Sequence, residues 1–277
     1  MADRIWLGND PGNEGDWSVA ANWTGAAVPI NADDVIFDGT SNEAVTDGLN
    51  QAAVTLGSLV FAEAYTGAVG GDGTPLLISA TLLRYAGQGD AWITGTFADV
   101  YVTSTGASTL TLDGTITDLY LAKGKVVVTG GATATNIYIT YITSRATDVN
   151  LTIGLACTIT IVWQDGGVVT SQSSYTTLHM FNGTHTQTVG SIPSVTIEGQ
   201  STFYWRAAAG TITTLLAWAG AIVDASGNGA IKTITTATLF KGSILNIANG
   251  ASTIVITNPV LRLGGELILD EGRTDTV

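Results

Sequence analysis

A chain of 277 residues with 23 acidic and 10 basic side chains carries a formal charge of −13. It lacks the basic patches that neutralise phosphate, which argues against binding nucleic acid or an anionic membrane surface. Its one cysteine, Cys157, excludes an intrachain disulfide and a cysteine-built zinc cluster. Charged residues make up only 12%, against 34 Gly and 43 Thr, a balance rich in turn and β-branched residues and poor in helix formers.

The opening "MADRIWLGND" is too short in apolar residues for a secretory leader, whose apolar region runs about 7–15 residues. No apolar run reaches the ~18 residues of a membrane span. The expectation is synthesis in a cytoplasm without this export route. Trp6, Trp17 and Trp23 then bring large apolar surface with an N–H donor each. Asp16 and Asn22 are suited to closing turns. "DDVIFDG" reads as the first clean strand and "LGSLVFAEA" as the next. Residues 1–60 are therefore expected to form a Trp-rich cap, and residues 61–277 the body that it covers.

From about residue 95 a short pattern returns: Thr, Asp or Asn, an apolar alternation, a Gly or polar turn, and a second alternation. It begins at Asp99 ("DVYVTSTG"), Asp118 ("DLYLAKGK"), Asn136 ("NIYITYIT"), Thr158 ("TITIVWQD") and Thr177 ("TLHMFNGT"). It recurs at Ser194 ("SVTIEGQS"), Thr214 ("TLLAWAGA"), Ala237 ("ATLFKGSI") and Thr253 ("TIVITNPV"). Starts about 16 to 23 residues apart are the signature of a solenoid. Strands of about 3–5 residues cannot bury their apolar faces alone, but stacked coils bury them as ladders. Gly130–Gly131, Gly166–Gly167 and Gly264–Gly265 are placed to turn the corners. "RAAAGTITTLLAWAGA" is the best helix candidate, weakened by Gly210 and its threonines. The rungs vary in length, which favours a right-handed parallel β-helix over a left-handed hexapeptide coil. An antiparallel β-sandwich is the alternative, since short strands at regular spacing predict one too.

The order Trp6-Leu7-Gly8, Trp17, Ala21-Asn22-Trp23, Val28-Pro29, Asp33-Asp34-Val35-Ile36-Phe37 resembles an opening module of bacterial and phage-encoded β-helical surface proteins. The resemblance covers about the first 60 residues and implies a β-helical fold without catalytic residues. With a surface-type composition and no leader, it points to a phage virion component of β-helical type, a capsid decoration or cement protein.

Candidate chemistry is sparse. His179 and His185 flank a predicted turn at Asn182-Gly183, and no metalloprotease, hydrolase or phosphate-loop motif accompanies them. Asp33, Asp34 and Asp38 are oxygen donors of the kind that hold Ca²⁺, yet ordinary turn acids explain them. "VGGDGT" at residues 69–74 is a single echo of a Ca²⁺-binding nonapeptide. Asp165, Glu198 and Asp224 are the scattered acids from which a glycosidase pair would be drawn. Cys157 reads as a small core residue. Tyr138, Tyr141, Trp163, Phe181, Tyr204, Trp205 and Trp218 enrich the middle and later rungs. Of these, Tyr204, Trp205, Trp163 and Trp218 are the interface candidates. Adjacent Tyr204 and Trp205 must point to opposite faces of a strand.

The expected function is thus non-enzymatic. The protein would decorate the outer surface of a virion capsid, with the major capsid protein and copies of itself, as a homotrimer, for partners. No cofactor, metal, nucleic acid or membrane is expected. The alternatives are a receptor-binding fibre or spike segment and a glycan-binding adhesin.

Overall fold

Period-2 alternation runs through most of the chain, and among the described residues the long alternating segments become strands. The computed structural model describes residues 2–140, 148–227, 231–248 and 253–269. Among them are twenty β-strands and two short 3-10 turns, Ala20–Asn22 and Thr24–Ala26. The strands pair in parallel and wind as a β-solenoid, so the antiparallel sandwich is excluded. The chain divides into two compact units, residues 1–134 and 135–277.

In the first unit β1 (Asp3–Ile5) pairs with β2 (Asp34–Phe37), and β2 with the end of β3 (Asn50–Phe61). The ladder continues through β4 (Leu76–Tyr85), β5 (Ala91–Val102) and β6 (Thr109–Leu121). β7 (Gly124–Val128) extends the sheet formed by the first half of β6. The parallel pairing thus starts at residue 3 and runs through residue 60 within one strand. Inward residues stack coil on coil: Val35–Leu59–Leu83–Val100–Leu119 and Phe37–Phe61–Tyr85–Val102–Leu121. Each fully buried side chain of this kind stabilises by roughly 1.5–3 kcal/mol, which no single coil could collect alone.

Strands of 10 to 13 residues replace the expected short ones because β3 to β6 run on through a corner, with a register shift between Asn50 and Thr55 in the β3–β4 pair and none between β5 and β6. Gly114 shows why. Its φ is +95°, and a Cβ there would lie 2.1 Å from the carbonyl oxygen of Gly95, its partner on the coil below. Only glycine lets successive backbones close on each other at that corner.

The first coil is closed by aromatic packing. Trp6, Trp17, Trp23 and Phe37 are at most 1% exposed. Trp23 meets Trp6 and Trp17 edge-to-face at centroid distances of 4.9 and 4.6 Å. Trp23 Nε1 donates to the Trp17 carbonyl at 2.7 Å, and Trp6 Nε1 to the Glu43 carbonyl at 3.1 Å. Buried Asn22 ties the connecting loop, accepting from the Asp10 N–H and donating to the carbonyls of Asn13 and Asp16. The paired acids are equally committed. Asp33 accepts from the Ala2 and Ile30 N–H groups and from the Arg4 guanidinium, while Asp34 accepts from Ser58 Oγ. Burial opposes the charge of Asp33, but the Ile30 N–H, Arg4 and the Ala2 N–H outweigh it and hold the carboxyl below its usual range.

β8 (Thr133–Ile139) spans the division between the units. In the second unit, β9 (Val149–Ile153), β10 (Thr158–Ser171) and β11 (Tyr175–Gln187) are followed by β12 (Ser194–Ile197), β13 (Ser201–Trp205) and β14 (Gly210–Ala217). Then come β15 (Ile222–Asp224), β16 (Ile231–Phe240), β17 (Ile244–Asn246), β18 (Thr253–Ile256), β19 (Leu261–Leu263) and β20 (Glu266–Ile268). They form stacked sheets. One runs β10–β11–β12–β14–β16–β19, and another β9–β10–β11–β13–β15–β17–β20.

The helix candidate is a strand instead. "GTITTLLA" becomes β14, because pairing with β12 and β16 outweighs the helix propensity of its leucines and alanine. Gly131, Gly166, Gly167 and Gly264 take positive φ as expected, whereas Gly130 and Gly265 do not. Cys157 is buried at 6% exposure, in the turn before β10 and not in a strand.

Candidate functional site

The candidate site is the outward side of the β10–β11–β12–β14–β16–β19 sheet. Inward positions on it are Val162, Leu178, Val195, Leu215 and Leu239, all buried. Alternation then turns Trp163, His179, Thr196, Leu216, Thr238 and Leu261 outward in successive rungs. One step along lie Phe181, Glu198, Trp218, Phe240 and Leu263. The rings stack face to face along the solenoid. Trp163 lies 4.1 Å from His179 at an interplanar angle of 9°, and Trp218 lies 3.7 Å from Phe240 at 4°. Trp163 and Phe181 are also near-parallel, at 6.2 Å. Trp218 is 41% exposed, Phe181 38%, Leu261 54% and Leu263 49%. The ring faces cover one another, so their edges face the solvent. The product is two aromatic groups on one outward face, with Thr196 and Glu198 of the β12 rung between them. Burial lowers the pKa of His179, opposed by the Glu198 charge.

The four interface candidates divide. Trp163 and Trp218 lie on this face. Tyr204 is outward on the other sheet, under the Arg206 guanidinium at 5.0 Å from its ring centroid. Trp205 is corrected: at 0% exposure it belongs to the core and is closed to a partner. In β13, Ser201, Phe203 and Trp205 point inward and Thr202 and Tyr204 outward. The fully buried Lys232 ammonium seals the indole, donating to the carbonyls of Trp205, Ala225 and Gly227 at 2.7, 2.7 and 2.8 Å. Burial pushes the pKa of Lys232 down to about 8. Tyr141 lies outside the described residues.

The scattered acids do not assemble. Asp224 is bound by Arg206 at 2.6 Å and sits opposite Tyr204. Asp165 and Glu198 belong to the other sheet, with the β11 coil between them.

The two histidines also part company. His185 is fully buried inside a polar cluster. Its Nδ1 is 3.0 Å from Gln164 Oε1 and its Nε2 contacts the Tyr175 hydroxyl, which lies 2.8 Å from Gln187 Oε1. The amide orientations follow from their Nε2 groups. Gln164 Nε2 donates to the carbonyls of Gly166, Gly167 and Thr184, and Gln187 Nε2 to those of Ser173 and Val189. Burial pushes the imidazole down to about 3 and raises the Tyr175 hydroxyl, so both are neutral at pH 7. Enclosed from solvent, the cluster cannot reach a substrate. It braces the corner where β10 and β11 bend.

Sequence reasoning missed Phe240, Leu216, Leu261 and Leu263. Phe240 was legible only from the register that places it beside Trp218. No family model, no curated protein and no solved structure matches the chain.

Proposed function

We propose that the chain is a non-enzymatic structural protein of a phage virion, a decoration protein that lays its outward aromatic face against a capsid subunit. The observation that carries this reading is the pair of stacked aromatic groups on one outward face, Trp163 with His179 and Phe181, and Trp218 with Phe240, of which Phe181 and Trp218 are exposed. Exposed aromatic surface of this kind is stabilised when a partner covers it. Rings already stacked in parallel lose little conformational entropy on docking. Their edges, not their faces, point outward, which suits the flat apolar surface of a protein better than a sugar ring. The partner's surface is apolar at its centre and presents a basic group to Glu198. The charge of −13 keeps such a protein off the packaged nucleic acid.

The test is co-sedimentation with purified, expanded capsids. The intact chain binds and raises the temperature at which the shells rupture. Trp218→Ser combined with Phe181→Ser abolishes binding while the free protein stays folded. Attachment to host cells by a chain that leaves capsids unbound would replace this reading with receptor binding. Sedimentation equilibrium tests the expected trimer.

A further inference from the structure

The first unit holds a second, unrelated feature, around Trp92. Of the seven tryptophans, Trp6, Trp17 and Trp23 fill the cap, Trp205 is core, and Trp163 and Trp218 are stacked against other rings. Trp92 is none of these. It is half-buried on the outward side of β5, among the described residues it stacks on no ring, and its indole N–H donates to no protein group. It lines a cleft of about 290 Å³ together with Asp72, Pro75, Thr94, Thr111 and Asp113.

The cleft has a built wall. At residues 71–74 the chain leaves the plain solenoid turn for a tight hairpin, in which Gly71 and Thr74 exchange two backbone hydrogen bonds of 3.0 Å. Gly70, at φ +66°, seats the hairpin on β5, since a Cβ there would lie 2.9 Å from the Trp92 carbonyl oxygen. The hairpin tip carries Asp72, exposed and without a protein partner among the described residues. On the next coil Thr111 stands in register with Trp92 and is too short to cover an indole. Two residues along β6 from Thr111, Asp113 commits one carboxylate oxygen to the Gly114 N–H at 2.7 Å.

We infer that this cleft is a binding site for a neutral saccharide, one or two pyranose rings long. An uncovered indole offers an apolar face for the C–H side of a pyranose, and its N–H a donor. The two carboxylates accept from sugar hydroxyls, and the threonine hydroxyls both donate and accept. The volume lies at the small end of ligand sites, about 300–1,000 Å³, which limits the ligand to a short sugar. Asp72 and Asp113 repel carboxylated or sulfated sugars, which sets the preference for neutral ones. This site lies in the first unit and the proposed capsid-docking face in the second, so either is testable without the other.

The experiment is saturation-transfer difference NMR on the intact chain, with methyl glucoside, methyl galactoside, N-acetylglucosamine and sialic acid as probes. At least one neutral sugar gives a signal and sialic acid gives none. Trp92→Ala removes the signal, and Asp72→Ala, on an exposed tip where folding is not at stake, weakens binding several-fold. Trp218→Ala leaves binding unchanged. Absence of signal from every neutral sugar, a preference for sialic acid, or a signal that survives both Trp92→Ala and Asp72→Ala would overturn the assignment.

Discussion

The Trp cap and the His185 cluster both fill solenoid interior, by opposite means. The cap packs Trp6, Trp17, Trp23 and Phe37 with two indole-to-carbonyl bonds, and Trp17 Nε1 has no partner among the described residues. The cluster joins Gln164, His185, Tyr175, Gln187 and Ser173 in a chain of hydrogen bonds with little apolar content. The first region rests on area removed from water and on ring geometry, which pH does not touch. The second depends on polar groups staying paired and neutral in a low-dielectric interior, so its stability is conditional. One fold accommodates both because each coil needs only volume filled and polar atoms satisfied.

The largest effect expected is in the cap. Trp23→Ala removes a ring 1% exposed and its bond to Trp17, and should cost about 3–5 kcal/mol in chemical denaturation. The loss should be the same at neutral and mildly acidic pH. A loss that varied with pH would break the distinction between the regions.

Acid should act through the cluster. The folded pKa of His185 is pushed from 6.5 down to about 3, so the unfolded chain binds its proton first as pH falls. The contribution is complete above about pH 6.5 and is lost progressively towards pH 3. By linkage it amounts to on the order of 5 kcal/mol. His185→Leu should flatten this part of the stability–pH curve, read from thermal melts, although it leaves Gln164 and Tyr175 short of a partner at pH 7. Carboxylates such as Asp33, whose pKa is lowered, add an acid loss of the same sign that the variant retains.

The smallest effect sharpens the comparison within the cap. Trp23→Phe forfeits a made hydrogen bond, about 1 kcal/mol beyond the lost area. Trp17→Phe forfeits none, because its N–H is unpaired among the described residues, so it should cost about 1 kcal/mol less. Equal losses from the two variants, measured by urea denaturation, would show that hydrogen bonding contributes nothing there.

The repeat was partly legible. Asp99 and Asp118 stand in register, as do Thr177, Ser194 and Thr214. The next copy was off by one, since Thr236 and not Ala237 continues the column. Ile161 and not Thr158 precedes Thr177, and Thr253 pairs with Ile231 on another sheet. Coils of unequal length defeat alignment by eye, because an extra residue hidden in a corner leaves the alternation on either side intact.

Sequence alone determined that the chain is all-β and that the opening tryptophans build structure, and it favoured a solenoid over the antiparallel sandwich that only the parallel pairing excluded. Those properties follow from local alternation, turn residues and composition, which each segment carries within itself. Tertiary structure alone decided that Trp205 is sealed while Trp218 is open, that His185 is buried while His179 stacks outward, and that Trp92 stands apart from every ring among the described residues. Parity along a strand says only that neighbours face opposite ways. Which way is inward, and what lies one coil above, depends on backbone pairing between residues about 20 positions apart, which no single segment encodes.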